Sequence, residues 1–310
     1  MAEPTDVTAD YLALRREAGA VELPRDFLRV AGPDALTFLQ GQLSQDVDLT
    51  AGDSTWALLL QPQGKVVALL RALREADDAF VLDTDGGWGD AVVERLTRFK
   101  LRVRCDIQPL QWSCVAIRGP LAHHVAAAGT GTVVDADWPG LPGADLVGES
   151  PLAPPDVRRC SLEAYESVRV EAGVPVMGRE LDERTIPAEA GVVERSVSFT
   201  KGCYTGQELV ARIDSRGGNV PRRLRGLVVG TNVIPPVGAT VNVGPATSDP
   251  AAAGPATKVG TVTSVGESLD RQAPVALAYV KRAVTPPADV TLVWDGGSAP
   301  ARVEELPLVS

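Results

Sequence analysis

Short apolar runs with two-residue alternation, broken by a few helical patches, dominate the first two-thirds of the chain. Phe27-Leu28-Arg29-Val30 reads as a strand, and Pro33 after Gly32 opens a helix with Leu36, Phe38, Leu39 and Leu43 to one side. Trp56 to Leu60 is a second strand, and Pro62-Gln63-Gly64 turns into a third, Lys65 to Leu73. Phe80 to Leu82 is a fourth, and Ala91 to Phe99 has helical spacing. Leu101 to Ile107 returns to alternation, and Cys114 to Ile117 runs into Gly119-Pro120 and a helix carrying His123 and His124. The Gly/Pro/Asp-rich stretch 129–156 is expected to be loops with short strands. Ser161 to Glu171 is helical, with Gly173 as its stop.

From Leu224 onward the pattern changes. Val-rich runs at 224–229, 240–243, 258–265, 274–280, 290–294 and 301–305 alternate with Gly/Pro turns, the pattern of a small β-barrel or sandwich. The run 244–257 is expected to be a surface loop. The fold class is therefore α+β followed by an all-β C-terminal domain.

Composition narrows the function classes. Hydrophobic residues make up 45% of the 310 and charged residues 23%, ordinary for a globular protein. No stretch approaches the ~20 apolar residues that span a bilayer. The acidic N-terminus lacks the layout of a signal peptide, so no membrane partner and a cytoplasmic location are expected. The net charge of −10 disfavours non-specific attachment to nucleic acid. One exception is local: Arg212, Arg216, Arg222, Arg223 and Arg225 face only Asp214 in their segment. Pairing with acids elsewhere is favoured there over phosphate binding. The cysteines at 105, 114, 160 and 203 form no metal-ligand spacing, and adjacent histidines do not chelate together, so no metal site is expected.

The densest chemistry lies in Lys201-Gly202-Cys203-Tyr204-Thr205-Gly206-Gln207-Glu208. Thr205 to Glu208 reads as a capping box, with Thr205 capping the helix and Glu208 reaching back. Glu208 also stands four residues before Arg212, a favourable ion pair, so capping competes with any catalytic role for it. Cys203 sits ahead of the helix N-terminus and near Lys201, two features that stabilise a thiolate. A buried inert cysteine in a tight turn explains the same pattern. Glu171 is the second candidate, since a carboxylate accepts two parallel hydrogen bonds from an amino-amide heterocycle.

The octet followed by Arg212 resembles the signature of the YgfZ family, folate-binding relatives of the glycine-cleavage T-protein (GcvT). Gly32-Pro33-Asp34-Ala35, Phe38 to Gln42, Gln61 to Lys65, Glu171-Ala172-Gly173, Gly178, Ile186 to Gly191 and Ser198-Phe199 extend it over most of the chain. The resemblance implies a GcvT-like three-domain ring. Residues 1–53 and 112–220 would form a discontinuous folate-binding α+β domain, 54–111 an inserted α+β domain and 221–310 a β-barrel. It further implies tetrahydrofolate or a derivative as cofactor, with Glu171 on the pterin and Lys201 toward the glutamyl tail. It also implies support of iron–sulphur enzymes or their assembly factors, including tRNA-modifying ones, with Cys203 as the active thiol. Lys201, Gly202, Tyr204, Gly206, Gln207, Glu208 and Arg212 complete the implied motif. One departure matters. T-proteins carry an aspartate pair after the glycine turn, and here Gly64-Lys65-Val66-Val67-Ala68 is apolar at those positions. Aminomethyl transfer is therefore not expected. A one-carbon transferase with another substrate and a tRNA-binding module using Arg212 to Arg225 are the competing readings.

Overall fold

The computed structural model describes residues 6–244 and 256–309. Three sheets organise it. The first joins β1 (Gly19–Leu23), β7 (Ser113–Arg118), β8 (Thr130–Asp135), β9 (Gly143–Leu152) and the short β10 (Arg158–Arg159), in the order β10-β1-β7-β9-β8. Its strands alternate in the expected way. Val21 and Ala116 face a cluster with α1 (Val7–Arg16) and α5 (Leu162–Ala172), while Ala20, Val115 and Ile117 face α4 (Ala122–Ala127). Residues 129–156 thus hold two strands of six and ten residues rather than mostly loop, because β9 is buried between β7 and β8.

The second sheet contains β2 (Arg25–Ala31), β3 (Ser54–Leu60), β4 (Val66–Ala76), β5 (Ala79–Asp85) and β6 (Asp106–Leu110), all antiparallel, in the order β3-β4-β5-β2-β6. Two expectations are corrected here. The strand placed at 101–107 runs from 106 to 110, where Ile107 pairs with Val30 and Leu110 with Phe27. The domain boundary at 53/54 cuts a single unit. β2 pairs with β5 and β6, and Leu28, Val30 and α2 (Ala35–Gln42) share one core with Leu70, Ala72, Leu82 and α3 (Gly89–Phe99).

Both faces of β3 and β4 are apolar. Ala57, Leu59, Ala68 and Leu70 pack under α2 and α3. Leu58, Leu60, Val66 and Leu69 are covered by Met177, Leu181, Val192, Tyr204 and Val210. That second covering carries the motif. It includes a 3-10 turn (Pro187–Glu189), α6 (Val193–Ser196) and α7 (Gln207–Ser215).

The third sheet is a closed six-stranded barrel of β11 (Arg222–Val229), β12 (Thr240–Val243), β13 (Thr257–Ser268), β14 (Ala273–Lys281), β15 (Ala288–Trp294) and β16 (Gly297–Glu304). Each Val-rich run became one of its strands. Alternate side chains such as Leu227, Val241, Val262, Ala278, Leu292 and Val303 fill its interior. Most of the run 244–257 expected as a loop lies outside the described residues. A buried network of Arg169, Ser264 and Glu180 ties α5 to the barrel. No described helix is long and apolar enough to cross a membrane.

Candidate functional site

The motif is seated on the Gln61–Gly64 turn by two glycines, each in a left-handed conformation. Gly206 has φ +86°, and a Cβ there would lie 2.7 Å from the Gln61 carbonyl oxygen. Gly64 has φ +75°, and a Cβ there would lie 2.6 Å from Leu209 Cβ. Backbone therefore meets backbone between two segments that lie far apart along the chain. Tyr204 is buried against Leu58, Leu60 and Val66, which fixes the chain just before the helix.

The capping box does not form. Gly206, not Thr205, is the N-cap of α7, and no side chain caps it. The Thr205 amide and hydroxyl instead both donate to the Gly41 carbonyl, at 3.1 and 3.5 Å. Gln207 Oε1 accepts from the Tyr204 amide at 3.3 Å. Glu208 is free of any cap and pairs with Arg212, as their spacing predicts.

Cys203 is exposed, whereas Cys105 and Cys114 are buried. The reading of an inert buried cysteine at 203 therefore falls. Lys201 is engaged elsewhere than expected: its Nζ donates to the Leu43 and Gln45 carbonyls, at 2.9 and 2.8 Å, just beyond the end of α2. A cation suits that helix end. Burial pushes its pKa down to about 8, with Asp46 opposing. Lys201 thus clamps the motif loop onto α2, and its ammonium is not displayed to a ligand.

Glu171 also departs from its expected role. It is fully buried between α1, α5 and the barrel. Tyr11 OH donates to its Oε1 at 2.6 Å, and Arg15 lies 3.6 Å from its Oε2, which has no hydrogen bond. Burial raises its pKa, partly offset by the hydroxyls of Ser268 and Tyr11. A carboxylate enclosed in this way offers no open edge to a pterin.

Reasoning from sequence missed the strongest concentration of chemistry. Where the first two sheets meet, Arg71 bridges Asp83 (3.0 Å) and Asp145 (2.8 Å), Arg118 holds the other oxygen of Asp145 at 2.8 Å, and Arg25 bonds Asp83 and Asp85. Trp56 lies under three guanidiniums, those of Arg25, Arg71 and Arg195, at 5.3 to 5.6 Å. Arg118 stacks on Trp138 at 4.4 Å, with Tyr165 beside it. Trp56, Trp138, Tyr165, Arg118, Asp145 and Arg195 line a cavity of about 30 Å³. Arg118 Nε, one of the lining groups, is buried without a hydrogen-bond partner.

The arginine run is dispersed. Arg212 pairs with Glu208, Arg222 with Glu189 and Arg225 with Glu305, while Arg223 bonds the Gly218 carbonyl. Pairing with acids, the favoured expectation, accounts for most of it. His123 and His124 are exposed helix residues. In the apolar stretch after the Gly64 turn, Val66 and Ala68 are fully buried and Val67 packs against the core around Ala68. Among the described residues no group of three or more His, Cys, Asp or Glu is placed to hold a metal ion.

Comparison with known proteins agrees with this architecture. Residues 4–140 match the GCVT N-terminal domain. The human mitochondrial iron–sulfur cluster assembly factor IBA57 is 30% identical over 222 residues, covering 62% of this chain and 61% of that protein. The tRNA-modifying protein YgfZ of Edwardsiella ictaluri is 28% identical over 224 residues, covering 62% of this chain and 65% of that protein. The crystal structure of glycine cleavage system aminomethyltransferase T from Bartonella henselae superposes with a TM-score of 0.83 at 23% identity, over 100% of this chain and 91% of that one, a likeness of fold. In its N-terminal domain, its barrel and its relatives, the chain is thus similar to proteins of the YgfZ/GcvT-like family.

Proposed function

We propose that this protein is an accessory factor for iron–sulphur enzymes, tRNA-modifying ones among them, that acts through the thiol of Cys203 and takes a tetrahydrofolate-type ligand where its first two sheets meet. The observation that carries the reading is the exposure of Cys203 on a loop fixed on every side: by Lys201 on α2, by Tyr204 in the core and by Gly206 on the Gly64 turn. Such a thiol is accessible to a partner yet held in place. The relatives' iron–sulphur and tRNA-modifying roles support the client class. The apolar Val67 and Ala68 speak against aminomethyl transfer, because neither takes a proton nor stabilises a cationic amine.

The residues present fit a folate at one place and not at another. The Glu171 and Lys201 assignments do not suit it, since both groups are engaged within the protein. The lining of the sheet junction does suit it in chemistry: the rings of Trp56, Trp138 and Tyr165 for a pteridine that displaces the guanidiniums stacked on them, and Arg195 and the orphaned Arg118 Nε for acceptors. A cavity of about 30 Å³ holds no more than one or two waters, so admission of a pteridine requires partly exposed Trp56, Trp138 and Arg195 to move apart. A folate supplies one-carbon and redox chemistry when bound; the chain's own residues orient it and exclude water.

Two experiments follow. In a strain lacking its own YgfZ-type protein, this chain should restore iron–sulphur enzyme activity, and failure to restore any would overturn the accessory role. Titration with tetrahydrofolate should quench tryptophan fluorescence, because Trp56 and Trp138 line the cavity. Arg195→Ala should weaken binding about tenfold and Glu171→Gln by less than about twofold. The opposite ranking would return the ligand to Glu171.

A further inference from the structure

A second cavity, on the outer wall of the barrel, collects positive charge of which two lysines have no carboxylate partner among the described residues. It measures about 470 Å³, within the range of small-molecule sites. Four cations line it: Arg179, Arg222, Lys258 and Lys281. Two carboxylates line it as well, and both are already engaged. Glu180 is buried, accepting from Ser264 Oγ at 2.6 Å and facing Arg169, while Asp182 pairs with Arg184 at 3.1 Å. Arg179 holds Glu166, and Arg222 holds Glu189. Lys258 and Lys281 are exposed, and among the described residues neither has a carboxylate within 4.0 Å. This occurs in a chain of net charge −10, where acids to pair with them are abundant.

The strand register sharpens the point. Arg222 on β11 stands directly opposite Lys281 on β14, a like-charge cross-strand pair. Such pairs destabilise a sheet. Arg222 is turned over the Tyr279 ring, 4.2 Å from its centroid, toward Glu189, which leaves Lys281 alone on that side. An anion between the lysines and Arg222 converts the repulsion into charge-assisted hydrogen bonds. The hydroxyl-bearing Thr261 also lines the cavity.

We infer that this barrel cavity binds a small phosphate-bearing anion, held by Lys258, Lys281 and Arg222. Concavity and converging cations favour a compact ligand over the backbone of a nucleic acid, which the global charge repels. The site is separate from Cys203 and from the sheet junction, and its test is independent of the proposed function. Calorimetric titration of the full chain with inorganic pyrophosphate at low salt should show saturable binding. Lys258→Gln combined with Lys281→Gln should weaken it at least about tenfold without lowering the melting temperature, and the corresponding double arginine variant should retain it within about threefold. Absence of binding by wild type, or equal binding by wild type and the double glutamine variant, would overturn the inference. So would binding of a single-stranded RNA that needs both lysines while pyrophosphate neither binds nor displaces it.

Discussion

Replacement of Asp145 by alanine should lower the unfolding free energy by about 3–5 kcal/mol, because it leaves buried guanidiniums without their carboxylate. Asp145 is 3% exposed, Arg71 1% and Arg118 2%, and Asp145 bonds both arginines at 2.8 Å. Neither guanidinium can shed its proton to escape. Urea unfolding followed by circular dichroism measures the loss. Asp48→Ala is the control: it removes an exposed partner of Arg74 and should cost less than about 1 kcal/mol. A loss for Asp145→Ala no larger than the control's would contradict the account of the junction.

The same carboxylate sets a pH dependence. Burial alone would raise the Asp145 pKa, but Arg118, Arg71 and Arg25 more than offset it and hold the group well below the usual carboxylate range. Its folded pKa is thus below its unfolded value of about 3.9. The associated stability is complete above that value and is lost as the pH falls toward the folded pKa. Wild type should therefore lose stability below about pH 4 more steeply than Asp145→Ala does.

Gly206→Ala should cost about 2–4 kcal/mol and loosen the motif. A non-glycine residue at φ +86° is strained, and its Cβ would stand 2.7 Å from the Gln61 oxygen and 2.8 Å from Leu60 Cβ. The backbone oxygen cannot rotate aside as a flexible side chain would, so the turn or the helix must shift. Gly202→Ala, four residues earlier, has nothing within 4 Å of the added carbon and should change stability by less than about 0.5 kcal/mol. Urea midpoints and the rate of proteolysis within 200–216 separate the two. Equal behaviour would mean that the glycine contact with the Gly64 turn does not hold the motif.

Much of this fold could be read from the chain. Every barrel strand announced itself, because a closed barrel buries alternate residues and needs turn residues between short runs. The α5 helix kept its expected ends: Ser161 caps it by accepting from the Ala164 amide, and Gly173 closes it at φ +72°. The Glu208–Arg212 pair was legible from local spacing, whereas the exposure of Cys203 was left open by it. What failed depended on tertiary neighbours. Thr205 had the right spacing for a cap, but the Gly41 carbonyl on α2 took its hydroxyl and amide. β2 and α2 joined the second sheet because Leu28 and Val30 fit its core, a pairing that no local pattern encodes.

The junction is the clearest omission. Arg25, Arg71, Asp83, Arg118 and Asp145 lie on five strands of two sheets, so no spacing connects them. A signal was nonetheless present. Arg71 interrupts the apolar run from Val66 to Leu73, and Arg118 ends the buried run Val115-Ala116-Ile117. A charged side chain inside a strand buried on both faces requires a partner of opposite charge. Glu171 and Lys201 are the converse case: each carries a charge that suits a ligand, and each is engaged within the protein.

The central claim, that the exposed thiol on this fixed loop is the working group, rests on one direct measurement. Wild type and Cys203→Ser would be expressed at equal levels in a strain lacking its own YgfZ-type protein, and several iron–sulphur enzymes assayed together. Because Cys203 is exposed, the serine variant should fold with an unchanged melting temperature. The account predicts recovery of the enzymes with wild type and little or none with Cys203→Ser; full recovery with the serine variant would contradict it.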